Sequence, residues 1–243
     1  MSLIEINGLT KNFGGLLAVD HVDIKVETGE ILGIIGPNGA GKTTVFNLIT
    51  GFFTPDEGNV RFQGEDITGF SPQKTCHKGI TRTFQLIKPF GDMTTLENVM
   101  IGAFSRSRKL TQARKESEEV IEFLGLRAKR DSLAKNLTIE DRKRLELARA
   151  LATQPRVLLL DEVMAGLNPK ETTEAIHLIK QIQSRGITLL VIEHVMRAIM
   201  TLSNRIVMLN YGKKITEGTP KEISTDEKVI KAYLGEKYGQ TRH

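Results

Sequence analysis

One octapeptide constrains this chain more than any other stretch: Gly36-Pro37-Asn38-Gly39-Ala40-Gly41-Lys42-Thr43. It has the spacing G-x-x-x-x-G-K-[ST]. The apolar run Ile31-Leu32-Gly33-Ile34-Ile35 precedes it, and a helical pattern from Gly41 to about Thr50 follows. Glycines between a buried strand and a helix let backbone N–H groups turn inward around a phosphate. The helix that opens there points its positive end at the same anion. Lys42 is placed to reach the β- and γ-phosphates of a nucleotide, and the Thr43 hydroxyl to ligate Mg²⁺. The alternative is a glycine-rich turn with no ligand.

Two further apolar runs read as buried parallel strands, and each ends in ionisable residues. Val157-Leu158-Leu159-Leu160 runs into Asp161-Glu162, and Ile187–Ile192 runs into Glu193-His194. Helical patterns over about Thr138–Ala152 and Pro169–Ser184 alternate with them, which predicts right-handed βαβ crossovers and a mainly parallel sheet. In such a sheet ligands sit at the C-terminal strand ends. Asp161 is therefore a candidate Mg²⁺ ligand, directly or through water. Glu162 is a candidate to polarise the water that attacks a γ-phosphate. The bland reading is a carboxylate pair capping the next turn. His194 is either structural or part of the same site. Gln85, after Thr81-Arg82-Thr83-Phe84, is a candidate to reach the metal or the attacking water, though a lone glutamine there carries almost no information.

The rest of the chain surrounds this core. Leu3–Ile6 and Val22–Val26 read as strands around a turn at Gly14-Gly15, and Asn59–Phe62 as a surface strand before Gly64. Arg205–Asn210 and Lys213–Glu217 flank Tyr211-Gly212, a hairpin signal. From Gln85 to Leu137 the pattern is charged and helical, with helices expected from Thr94 to about Phe104 and from Thr111 to Leu124. This stretch reads as an inserted helical subdomain.

Composition excludes several classes. Of 243 residues, 40% are hydrophobic and 26% charged, which rules out dominant disorder. The one cysteine, Cys76, cannot pair within the chain. No apolar stretch is long enough for a transmembrane helix. The opening Met1-Ser2-Leu3-Ile4-Glu5 has no basic region before an apolar run, so no signal peptide and a reducing, cytoplasmic setting are expected. Net charge is +5, with short basic clusters at Arg106–Lys109, Arg127–Arg130 and Arg142–Arg144. These fit solvated helix faces, or a peripheral membrane or nucleic-acid surface. With no tryptophan and 5% aromatic residues, a stacked single-strand platform is disfavoured.

Taken together, these motifs resemble the ATP-binding subunits of ABC transporters over nearly the whole chain. The resemblance implies an α/β fold. It would comprise a P-loop NTPase (RecA-like) core with a mainly parallel sheet, an N-terminal antiparallel β subdomain and an inserted α-helical subdomain. The single domain would divide into a nucleotide-binding core over 1–84 and 138–218, a helical subdomain over 85–137 and a helical tail over 219–243. Gly36–Thr43 look like the Walker A loop, extended by Thr44, and Leu158–Asp161 like the Walker B strand. Glu162 looks like the catalytic base, His194 like the switch histidine and Gln85 like the Q-loop glutamine, a further metal contact. Phe13 falls where such proteins stack an aromatic ring on adenine; a packed core ring is the alternative. Ala165-Gly166-Leu167-Asn168 falls at the D-loop.

The segments Gly79–Gln85, Met93–Val99 and Val229–Gly235 are similar to the branched-chain amino-acid uptake group, and lipopolysaccharide-export ATPases share much of this. The implied cofactors are ATP and Mg²⁺. The implied partners are transmembrane permease subunits, a second ABC ATPase subunit bound head to tail and a solute-binding protein. No nucleic acid is implied. The implied location is peripheral, on the cytoplasmic face of the membrane. A soluble ABC protein acting on nucleic acid or ribosomes is the alternative from another class. It usually needs two cassettes or long coiled-coil insertions.

The chain departs from the family in three places. Val163 follows Glu162 where proline is usual, and Asn168 replaces a carboxylate. The signature L-S-G-G-Q reads Leu137-Thr138-Ile139-Glu140-Asp141. Thr138 keeps a hydroxyl. Ile139 and Glu140 replace glycines, and Glu140 and Asp141 add negative charge near a partner's γ-phosphate, so a weakened half-site is expected.

Overall fold

The computed structural model describes residues 2–84 and 88–234. β1 (Ser2–Phe13) and β2 (Leu16–Glu27) form an antiparallel ladder about Gly14-Gly15. β3 (Ile31–Ile35) leads into α1 (Lys42–Ile49), as its apolar run predicts. β4 (Glu57–Phe62) and the short β5 (Glu65–Asp66) complete a four-stranded antiparallel sheet in the order β2-β1-β4-β5.

α2 (Pro72–Lys78) and β6 (Ile80–Arg82) follow. α3 (Thr95–Ala103), α4 (Leu110–Phe123) and α5 (Ile139–Leu151) then pack on one another. α3 starts in a capping box between Thr94 and Glu97, and Thr138 caps α5, so a short hydroxyl side chain opens each helix. The remaining elements are β7 (Val157–Asp161), α6 (Pro169–Ser184), β8 (Thr188–Ile192), α7 (Met196–Leu202), β9 (Arg205–Asn210), β10 (Lys213–Gly218), α8 (Pro220–Thr225) and α9 (Glu227–Leu234).

The second sheet has six strands in the order β10-β9-β3-β8-β7-β6. Every pairing in it is parallel except β10 on β9. The mainly parallel core and the antiparallel N-terminal sheet are thus both present. The alternation of side chains along a strand explains why the central strands are wholly apolar. Leu158, Leu160, Leu189 and Val191 face a core shared with α3, α5 and α6. Their neighbours Val157, Leu159, Leu190 and Ile192 face a second core shared with α1 and the antiparallel sheet. Each strand is sandwiched, and no position is left for a polar residue until the strand ends.

Four of these elements lie outside the sequence expectations: α2, β5, β6 and α7. β6 is only three residues long and contains Thr81 and Arg82, so no apolar run announces it. Among the described residues no helix is long and apolar enough to cross a membrane.

Candidate nucleotide site

Strand order builds the site. β3, β8 and β7 are parallel neighbours, so their C-terminal ends emerge on one edge. That edge receives the loop Gly36–Gly41 after β3, Asp161-Glu162 at the end of β7, and Glu193-His194 after β8. Residues more than 150 positions apart in sequence meet because the sheet orders the strands, not because the chain is locally compact.

The loop needs its glycines. Gly36 (φ 149°) and Gly41 (φ 97°) sit in a backbone region that other residues rarely adopt. A Cβ on either would strike a carbonyl oxygen, that of Leu209 or that of Ala18. α1 starts without a side-chain cap and with no acidic residue in its first turn, so its leading N–H groups keep no internal competitor for an anion. Lys42 is 6% exposed, and its ammonium donates to the carbonyls of Gly36 (2.7 Å) and Pro37 (2.9 Å). Burial holds that ammonium below the usual lysine range, while the charges of Glu162 and Asp161 pull the other way.

A cavity of about 390 Å³ runs along this edge. Asn38, Gly39, Ala40, Gly41, Lys42, Thr43 and Thr44 line one side, Glu162 and His194 another, and Phe13 the far end. Phe13 is half-exposed and meets Phe53 edge-on at 5.1 Å, so its ring is not sealed in a core. Nε2 of His194 lies 2.6 Å from Oε1 of Glu162. Glu162 has a left-handed backbone (φ 53°), pinned by its N–H donating to the Ile192 carbonyl at 2.9 Å. A larger, apolar cavity of about 520 Å³ lies between α4, α5 and α6. It lacks the glycine loop, the uncapped helix N-terminus and Lys42, so the smaller cavity is the one chemically fit for a nucleotide.

Asp161 is 2% exposed. Its Oδ2 accepts from Nη2 of Arg82 at 2.7 Å, and its Oδ1 is buried with no hydrogen-bond partner. Burial raises its pKa, and the adjacent Arg82 guanidinium opposes that rise. An orphaned buried carboxylate oxygen bordering one cavity with Thr43 fits a hard divalent cation that would take its remaining ligands from phosphate and water. No cluster of three or more acidic, histidine or cysteine ligands exists among the described residues, and Mg²⁺ does not require one.

Gln85 lies outside the described residues, as do Leu86 and Ile87. Sequence reasoning gave no role to three residues that border the site. Arg82 holds Asp161. Glu193 is 1% exposed, accepts from the Met164 N–H at 2.7 Å, and is pushed up to about 7, mainly by burial. Tyr233 on α9 accepts the Gly36 N–H at 2.9 Å, tying the tail to the first glycine of the loop. A carboxylate directly after the apolar run of β8 was the available signal for Glu193; Arg82, with no apolar run around it, had none.

At the signature segment, the Thr138 hydroxyl accepts from the Asp141 N–H at 3.1 Å. Ile139 is 75% exposed. The Glu140 carboxylate is paired with Arg144 at 2.5 Å, one helical turn on. Asn168 caps α6, its side-chain oxygen accepting from the N–H groups of Lys170 and Glu171.

A family model described as "ABC transporter" matches residues 19–165, and one described as "Branched-chain amino acid ATP-binding cassette transporter" matches residues 213–239. The high-affinity branched-chain amino acid transport ATP-binding protein BraF of Pseudomonas aeruginosa is 42% identical, over 96% of this chain and 98% of its own. The probable branched-chain amino acid transport ATP-binding protein LivG of Archaeoglobus fulgidus is 36% identical, over 97% and 96%. A nucleotide-free ATP-binding cassette from an ABC transporter superposes with a TM-score of 0.89 at 33% identity, over 97% of this chain and all of that one. The ADP conformation of an ABC transporter cassette gives 0.88 at 34%, with the same coverage.

Proposed function

The chain belongs to the ATP-binding cassettes of ABC transporters, and on that premise we propose that it hydrolyses ATP to drive import of branched-chain amino acids or similar small polar solutes. Separate permease subunits would form the membrane path, a second cassette would complete the ATPase, and a solute-binding protein would deliver cargo. The chain would then sit peripherally on the cytoplasmic face of the membrane. The observation that carries the ATPase reading is the convergence of Lys42, Asp161, Glu162 and His194 on one strand edge. The cargo rests on relatives that match end to end.

In this reading the N–H groups of Gly39–Thr44 cradle the phosphates, and Lys42 neutralises the β- and γ-phosphates. Phe13 stacks on the base. Thr43 and Asp161 hold Mg²⁺, with Gln85 as a further contact; bound there, the ion neutralises phosphate charge and orients the nucleotide. Glu162 accepts a proton from, or orients, the attacking water. His194 fixes the Glu162 carboxylate and faces the end of the phosphate chain.

The test is reconstitution with the permeases and partner cassette in vesicles, with ATP enclosed in the lumen and the solute-binding protein outside. Mg²⁺-dependent ATP hydrolysis coupled to accumulation of radiolabelled leucine is expected. Hydrolysis with no branched-chain solute moved would overturn the cargo, and no hydrolysis in the assembled complex would overturn the enzyme.

A further inference from the structure

We propose that Arg82 is a positioning residue for the metal-side carboxylate: it grips one oxygen of Asp161 so that the other is presented to the cation. The inference rests on the ATPase reading above. Its basis is an asymmetry within a buried ion pair. Oδ2 of Asp161 accepts from Arg82 at 2.7 Å, while Oδ1, equally buried, has no partner. The last torsion of an aspartate is broad, so the side chain alone does not fix the plane of its carboxylate or the direction in which a free oxygen points. An external clamp has to fix it.

Arg82 is built to be that clamp because its own position does not depend on Asp161. It closes β6, the strand beside β7. Its Nη1 donates to Oδ1 of Asn47 on α1 at 2.5 Å, and its Nε to the carbonyl of Thr83 at 3.2 Å. The guanidinium packs on the ring of Phe84 at 4.8 Å, with Phe52 and Phe46 at 5.9 and 6.0 Å. One rigid fork therefore ties the helix that carries Thr43 to the strand end that carries Asp161. Thr43, Arg82 and Asp161 border the same cavity. Lysine cannot reproduce this, since its ammonium is a point charge with no planar fork.

The pair also explains why a carboxylate is tolerated at 2% exposure. A buried ion without a partner is costly, and the cation alone would leave Asp161 unpaired whenever nucleotide departs. Arg82 supplies the permanent counter-charge and leaves Oδ1 for the transient one.

The experiment compares the full chain with Arg82→Met and Arg82→Lys, reading dissociation constants for a non-hydrolysable ATP analogue in EDTA and in Mg²⁺. Melting curves establish that each variant is folded. Affinity in EDTA is expected to stay within about twofold of wild type. The gain in affinity on adding Mg²⁺ is expected to shrink about tenfold in Arg82→Met and a few-fold in Arg82→Lys. A folded variant of either kind with the wild-type Mg²⁺ gain overturns the proposal. So does a parallel loss of affinity in EDTA and in Mg²⁺, which marks a merely structural ion pair. If Arg82→Met does not fold, Arg82→Lys decides by the same criteria. A wild-type chain that binds no nucleotide under either condition overturns the ATPase reading, and this proposal with it.

Discussion

Nε2 of His194 and Oε1 of Glu162 are 2.6 Å apart, although the two residues end different strands. The contact is not a by-product of packing. Glu162 adopts a left-handed backbone (φ 53°), a conformation that costs a non-glycine residue roughly 1–3 kcal/mol. The Ile192 carbonyl, one strand over and two residues before His194, holds it there. The strain aims the carboxylate across the strand edge toward the imidazole and the phosphate loop, instead of along β7.

Replacing Glu162 by glutamine keeps the size of that side chain and removes its basicity. ATP binding is expected to persist, while multiple-turnover hydrolysis falls by about a hundred- to ten-thousandfold, the usual span for a positioned general base. Lys42→Ala removes the buried ammonium instead and is expected to weaken nucleotide binding itself. Binding and hydrolysis assays on both variants separate the two roles; hydrolysis by Glu162→Gln near the wild-type rate sinks the role of Glu162.

Glu193 makes stability depend on pH. Burial lifts its carboxyl from the ordinary 4.5 to about 7, with the N–H of Met164 opposing and the charge of Glu162 adding to the rise. Between those values the folded chain holds a proton that the unfolded chain has released. Folding therefore takes up a proton, and this group's contribution to stability declines as pH rises through about 7. Glutamine at this position stays neutral and still accepts from Met164. Glu193→Gln is expected to melt several degrees above wild type near pH 8, and at about the same temperature near pH 5. Superimposable melting-versus-pH profiles for the two proteins refute this.

The phosphate loop, the two acidic strand ends and the alternation of strands and helices were legible because each is carried by a local pattern: apolar runs of strand length and glycines at fixed spacing. β6 was not, because a three-residue edge strand bearing a buried arginine looks like a polar loop until its partner β7 is known. Arg82 and Glu193 have meaning only through neighbours far away in sequence, at Asn47 and Asp161 for the one and Met164 for the other. At Glu140, likewise, pattern reading placed the charge but not Arg144 beside it. α4 and α5 came close to their expected bounds, since helical periodicity survives in charged segments where strand alternation does not.

We infer that the segment from Lys88 and the helices that follow it dock the permease. Phe90 is 47% exposed yet held in place: Asn98 receives its N–H at 2.9 Å and donates to its carbonyl at 3.0 Å. An ordered aromatic ring open to solvent suits docking of a short helix from a partner. Ile101 on α3 and Phe104 just past its end are also exposed. In a Cys76→Ser background, Phe90→Cys is expected to crosslink to a permease carrying a cysteine in a cytoplasmic loop. A scan of those loops that never captures the permease from Lys88→Cys or Phe90→Cys removes this surface from consideration.

The two ATP sites of the assembled transporter are expected to be unequal. In the head-to-tail pairing implied by the family, each site joins the phosphate loop of one chain to the signature of the other. This chain brings a complete loop with Lys42, Asp161, Glu162 and His194, but its signature helix opens with Ile139, 75% exposed, where a glycine would let backbone approach a γ-phosphate. Asp141 stands in the first turn of that helix, and its N–H is already satisfied by Thr138. Arg144 draws the Glu140 charge away, so bulk at Ile139 and the carboxylate of Asp141 carry the remaining defect. Losing one well-placed donor at a developing charge costs ~3 kcal/mol, or roughly a hundredfold in rate. A partner cassette with a glycine-bearing signature would therefore make the site built on this chain's Glu162 the faster one. Substituting each catalytic glutamate separately in the reconstituted complex is expected to abolish most ATPase activity when Glu162 is changed and to leave a substantial fraction when the partner's is changed. Equal losses would refute the asymmetry, as would a fully active transporter in which this chain pairs only with itself.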